Sequence, residues 1–202
     1  MRQQMATYPE LFTSRRFWGY ALCMAFSIGA FYAFLGGAPL VAKALFDMSP
    51  AHLGFWMGTI TAGFMFGSFL SGKFAARHKL TTMIITGRLV ACTGLTAGLV
   101  TMLTGFVHPY IFFGATLFVG IGNGLTTPSA NAGALSVRPR LAGSAAGLSG
   151  ALTIAGGALI SGLTGTILTP ANAGYALLAI MLAASFAGLL AALCVLWIDR
   201  RT

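Results

Sequence analysis

The stretch Tyr110–Leu168, YIFFGATLFVGIGNGLTTPSANAGALSVRPRLAGSAAGLSGALTIAGGALISGLTGTIL, carries charge only in the tripeptide Arg138-Pro139-Arg140. Each flank of that tripeptide is long enough to cross a hydrocarbon core, which takes about 20 apolar residues in a helix. A proline-broken turn with two arginines, set between two such flanks, reads as a short loop joining two membrane helices. Basic residues in short loops mark the cytoplasmic side. The rest of the fold follows by carrying this reading outward in both directions.

The same pattern recurs along the whole chain. Apolar segments run at about 17–40, 53–74, 83–106, 110–137, 142–168 and 171–198, joined by very short polar or proline-containing turns. With the N-terminus inside, the cytoplasmic flanks hold Arg2, Arg15, Arg16, Lys73, Arg77, Lys79, Arg88, Arg138, Arg140, Arg200 and Arg201, while the opposite side holds only Lys43. Composition agrees: 57% of residues are hydrophobic, 7% are charged, and mean hydropathy is +0.85. The expected fold is an all-α membrane protein of six transmembrane helices. Residues 1–16 form a cytoplasmic lead, 17–202 the bundle, and both termini are cytoplasmic.

A net charge of +9 would point to nucleic acid in a soluble protein. Here the charge sits in short flanks beside apolar helices, where it reports orientation and contact with anionic headgroups. The expected partner is therefore the lipid bilayer and not nucleic acid. Cys23, Cys92 and Cys194 lie far apart in apolar stretches without CxxC spacing, so they read as packing residues. No cofactor or metal is expected. The first span is too long for a signal-peptide hydrophobic region and lacks a small-residue cleavage pattern.

Two three-helix units are discernible, offset by about ninety residues. Gly67-Ser68-Phe69-Leu70-Ser71-Gly72 lines up with Gly157-Ala158-Leu159-Ile160-Ser161-Gly162, and Gly36-Gly37-Ala38-Pro39 with Thr126-Thr127-Pro128-Ser129. Since three spans reverse direction across the membrane, the units would be inverted repeats, a pattern of secondary transporters. Pro39 and Pro128 are candidate hinges, and Gly36–Pro39 is read as the end of the first helix. Helices two and five carry small residues at four-residue spacing, including Gly63/Gly67 and Gly143/Gly147, which lets helix backbones approach closely in lipid.

Candidate binding residues lie on helices one and four. Asn123, Thr127 and Asn131 fall at i, i+4 and i+8 and so share a face. That stripe fits either a substrate path or interhelical hydrogen bonding, worth about 0.6–2 kcal/mol per contact. Tyr20, Met24, Ser27, Phe31 and Phe34 cluster near one face of helix one and suit amphiphilic molecules of varied shape. Arg88 enters helix three by about one and a half turns, and its stem is expected to snorkel to the cytoplasmic surface rather than join an ion pair in a gate. Glu10, Asp47 and Asp199 are the carboxylates, and none lies inside a predicted span, so no proton-coupling acid is expected in the bundle. Gly147-Leu148-Ser149-Gly150 matches the GxSG of rhomboid proteases, but no histidine follows Ser149 to activate it. No enzyme activity is expected.

Several stretches resemble the C-terminal six-helix half of a major facilitator superfamily transporter, closest to the Bcr/CflA drug-resistance antiporters. They are Arg16-Phe17-Trp18-Gly19-Tyr20, Ala30 through Pro39, Thr81 through Val90, and Gly122-Asn123-Gly124-Leu125 through Leu135-Ser136-Val137-Arg138-Pro139-Arg140-Leu141-Ala142-Gly143-Ser144-Ala145-Ala146-Gly147-Leu148. The resemblance covers nearly the whole chain after about Tyr8. It implies that helices one and four line a central cavity, that two and five pack on the other half, and that three and six support from outside. It also implies drug:proton antiport of a small amphiphilic drug-like substrate across the inner membrane. Gly72-Lys73-Phe74-Ala75-Ala76-Arg77 resembles the family's loop motif, with Ala76 where an Asp would stand. Such transporters have about twelve spans, so the expected partner is an N-terminal half or a second copy of this chain. The alternatives are a homodimeric six-helix transporter and a non-transporting membrane fragment or structural module.

Overall fold

The computed structural model describes residues 11–200. Arg2, Glu10 and Arg201, with most of the expected lead, lie outside that range. Six long helices follow: α1 Arg15–Phe46, α2 Pro50–Phe74, α3 Leu80–Leu103, α4 Pro109–Ser136, α5 Ala142–Ile167 and α6 Ala173–Asp199. A single 3-10 turn, Pro139–Leu141, joins α4 to α5. All six helices are long and apolar enough to cross a membrane. Helices form because hydrocarbon offers backbone groups no water, so each segment must satisfy its own. The chain is a multi-pass membrane protein.

Local signals set the helix starts. The Ser14 hydroxyl accepts from the Phe17 amide (3.3 Å), and Ser49 accepts from the His52 amide (3.4 Å) with Pro50 in the first turn. The His108 ring accepts from the Tyr110 amide (3.3 Å) ahead of Pro109-led α4. Most boundaries fall within three residues of the sequence reading, with one correction. Helix α1 does not end at Gly36–Pro39 but runs through Pro39 to Phe46, as α4 runs through Pro128. One lost backbone bond at a proline costs less than ending a helix in the apolar layer, where several freed groups would lack partners. Asp47 then caps α1 in the left-handed region, at φ 44°. Lys43 donates to its carboxylate and holds that carboxyl below its usual range.

The packing has an approximate two-fold character. Helix α4 lies along α2 and α3, whereas α1 lies along α5 and α6; contacts of α1 with α4 and of α3 with α6 join the two sets. Exchanging α1 with α4, α2 with α5 and α3 with α6 reproduces this scheme, as inverted three-helix repeats require. Register supports it residue by residue. A Cβ on Gly67 would meet the Ile121 carbonyl of α4 at 2.2 Å, and one on Gly157 would meet the Tyr32 ring of α1 at 2.6 Å. Gly67 and Gly157 are related by the ninety-residue shift, and Ile121 and Tyr32 nearly so.

One end of the bundle collects basic groups. Arg16 of α1 pairs with Asp199 of α6 (2.9 Å), and together with Lys79 and Arg200 they line a polar recess. The start of α1, the start of α3 and the end of α6 therefore share an end.

The four packing glycines predicted from sequence divide into two pairs. Gly63 and Gly67 bring α2 against the α4 backbone, where a Cβ would approach the Leu117 carbonyl at 2.4 Å and the Ile121 carbonyl at 2.2 Å. Gly143 and Gly147 of α5 meet nothing within 4 Å of a Cβ, and neither do Gly54, Gly58, Gly72, Gly162 or Gly165. Helices α2 and α5 are mostly exposed, and α1 and α4 are the most enclosed. A difference in tolerance follows. Gly67→Leu is expected to destabilise the chain by about 1–3 kcal/mol or more through overpacking against backbone that cannot yield. Gly147→Leu is expected to stay within about 0.5 kcal/mol. Denaturant unfolding in detergent micelles measures both.

Candidate functional site

The apolar core forms two clusters at different depths. One gathers Phe34, Val41, Leu95, Phe112, Phe113 and Leu177, the other Phe17, Tyr20, Met24, Ile84, Ala130 and Val195. Between them lies a polar layer built from four helices: Ser27 of α1, Arg88 of α3, Asn123 and Thr126 of α4, and Ser185 of α6, all buried.

Arg88 is the centre of that layer, and its position corrects the snorkelling expectation. Its side chain has no solvent exposure. Its Nη2 donates to Asn123 Oδ1 (2.6 Å) and its Nε to the Thr126 hydroxyl (3.0 Å). Asn123 Nδ2 in turn donates to the Ser27 carbonyl (3.0 Å), and the Thr126 hydroxyl donates to the Ile84 carbonyl (3.5 Å). These partners fix the amide orientation, because the guanidinium can face only the oxygen. Space for the stem comes from small residues. A Cβ on Gly188 of α6 would sit 3.3 Å from Arg88 Cδ, and one on Gly87 of α3 would meet the Gly122 carbonyl at 2.6 Å. Nη1 has no hydrogen-bond partner, and neither does Ser185 Oγ. The described carboxylates, Asp47 and Asp199, lie at helix ends, each paired with another cation.

A cavity of about 200 Å³ adjoins this layer. It occupies the gap between α1 and α2, which touch little, and α4 forms its floor. Ile28 and Phe31 form one wall, Ile60, Thr61 and Phe64 the other, and Gly120 with Asn123 the floor. Asn123 thus links the groove to Arg88: one end of its amide is held by the guanidinium and by α1, and its second N–H is free. An amide in an aromatic and aliphatic groove can orient an amphiphile through one polar contact while the walls accept varied apolar shapes.

The sequence-predicted residues are distributed unevenly about this groove. Asn123 and Phe31 line it. Ser27 contributes through its backbone, its hydroxyl donating to the Cys23 carbonyl (2.5 Å). Thr127 is half-buried with an unpartnered hydroxyl, and Asn131 is exposed one turn further on. Tyr20, Met24 and Phe34 are buried in the core instead: Tyr20 packs over Gly133, and Phe34 stands edge-on to Phe113, centroids 6.2 Å apart. Arg88 and Thr126 were missed as site residues. The available signal was an arginine in an apolar helix together with polar residues spaced by three on another. Ser149, the serine of GxSG, donates to the Ala146 carbonyl of its own helix (3.2 Å).

The network carries a testable energetic consequence. Asn123→Ala leaves Arg88 Nη2 without its acceptor and is expected to cost about 1.5–3 kcal/mol, the range for hydrogen bonds to charged groups. Asn131→Ala, at an exposed position, is expected to cost under about 0.5 kcal/mol. Equilibrium unfolding of both variants checks the difference.

No protein-family model matches the chain. It is 28% identical over 163 residues to the uncharacterized MFS-type transporter YdgK of Bacillus subtilis, a match covering 79% of this chain and 39% of that protein. It is 26% identical over 152 residues to the bicyclomycin resistance protein homolog of Haemophilus influenzae, covering 74% of this chain and 37% of that protein. The chain spans about two-fifths of the length of the curated relatives it matches. With six apolar helices in the arrangement described above, these similarities support a relationship to the major facilitator transporters.

Proposed function

We propose that the chain is the C-terminal half of a multidrug efflux transporter of the Bcr/CflA type, exporting small amphiphilic molecules across the cell inner membrane. The observation that carries this reading is the groove between α1 and α2, where a single oriented amide stands among apolar and aromatic walls. The mostly exposed α2 and α5 supply the face on which a second six-helix unit rocks. An N-terminal half is the preferred occupant, since the relatives are more than twice as long as the matched region; a second copy of this chain is the alternative. Drug:proton antiport then takes its proton-carrying group from the partner, because the described carboxylates lie at helix ends. The resistance named for the Haemophilus relative favours drug-like cargo.

Efflux from a drug-sensitive host tests the reading. Co-expression with a matching first half is expected to lower accumulation of an amphiphilic dye, while either half alone has no effect. Transport by this chain alone favours the homodimer. Inactivity of the co-expressed pair, with both halves in the membrane, supports the non-transporting fragment instead.

Orientation has its own check. In a cysteine-free background, Arg77→Cys and Arg138→Cys are expected to react with an impermeant thiol reagent only after the inner face is opened. Lys43→Cys is expected to react from outside. Labelling of Arg77→Cys and Arg138→Cys from opposite faces removes the six-span topology.

A further inference from the structure

We infer that Arg88 sets the charge selectivity of the groove, admitting neutral and anionic amphiphiles and turning away cations of the same shape. This deepens the transport reading and rests on the groove being where substrate binds. Arg88 is fully enclosed in the polar layer, and a guanidinium keeps its charge in such surroundings. Among the described residues no carboxylate pairs with it. Its two hydrogen-bonded acceptors, Asn123 and Thr126, are neutral, its Nη1 has no acceptor, and the described carboxylates are paired at the helix ends.

Asn123, whose Oδ1 holds the guanidinium, also lines the groove floor, so it connects this charge to the groove. At one side chain's remove and an effective dielectric near 20, a cation in the groove is disfavoured by roughly thirtyfold. The same hydrogen bond adds a second preference. With Oδ1 bonded to the guanidinium and one N–H to the Ser27 carbonyl, the one group Asn123 has left for a ligand is its second N–H, a donor that suits a carbonyl, ether or carboxylate oxygen and gives an ammonium nothing. Field and hydrogen-bond polarity therefore select the same class of ligand: amphiphiles with an acceptor oxygen and no positive charge.

The test uses the full chain in nanodiscs of zwitterionic phosphatidylcholine, so that the lipid surface does not bias the result. Three probes share one aromatic skeleton and size and end in a carboxamide, a carboxylate or a quaternary ammonium. Calorimetric titration is expected to show the carboxamide binding roughly thirtyfold tighter than the ammonium, and the carboxylate tighter still. Arg88→Gln should abolish that preference and Arg88→Lys should keep it, a pattern that a purely structural role would not produce. If Arg88→Gln fails to fold, Asn123→Asp, which sets a carboxylate against the guanidinium, takes its place and should abolish the preference. Equal binding of all three probes to the unaltered chain, or a preference unchanged in Arg88→Gln, overturns the inference and leaves the transport reading intact. Absence of binding by every probe overturns the inference, and the co-expression efflux assay then decides the transport reading separately.

Discussion

A guanidinium in the middle of an apolar bundle must be satisfied by its neighbours or be expelled, and the architecture around Arg88 is organised by that requirement. Its partners come from α4, and they in turn reach the α1 and α3 backbones, while α6 yields room through Gly188. Interhelical hydrogen bonds in membranes are individually modest, because alternative partners exist in the unfolded state. A permanent charge raises the worth of each bond, to about 1.5–3 kcal/mol where the donor is charged. The hydrogen bonds of the polar layer fix the depth of α1, α3 and α4 relative to one another, and the layer separates the two apolar clusters.

Close backbone approach is the second element, and it serves the first. The α2–α4 seam is reciprocal. Gly63 and Gly67 meet carbonyls of α4, while Cβ atoms on Gly120 and Gly124 would meet the Ile60 and Phe64 carbonyls of α2 at 2.1 and 2.3 Å. On the other side of α4, Gly87 and Gly122 each face the other's carbonyl. Helix α4 is thereby wedged between α2 and α3 at distances only glycine allows, which holds Asn123 and Thr126 within reach of Arg88. The matching helix α1 packs more through side chains: Gly29 meets the Ile160 side chain, and Gly19 that of Val195. The two repeats share a plan but not a packing chemistry.

Hydropathy and the placement of basic residues made the spans legible, because length and charge are one-dimensional properties. The ninety-residue offset was legible for the same reason, and the register of Gly67 and Gly157 bears it out. The fate of Arg88 was not. Snorkelling weighs stem length against depth along one helix, whereas the outcome turned on lateral neighbours that sequence does not order in space. Gly36–Pro39 was misjudged by a rule from water, where a proline ends helices cheaply. Asn123, Thr127 and Asn131 do not keep one environment: each four-residue step advances around α4, so Asn123 turns inward and Asn131 out.

The bare glycine surface on α5 and the outer side of α2 has an economic side within the cell. Lipid tails fill shallow backbone furrows poorly, and a covering protein enters by mass action. On the proposed reading, in which a second six-helix unit covers that surface, the level of this chain tracks the supply of that unit. On that same reading, chains made in excess keep their furrowed flank uncovered, and matched supply of the two halves becomes a condition of persistence.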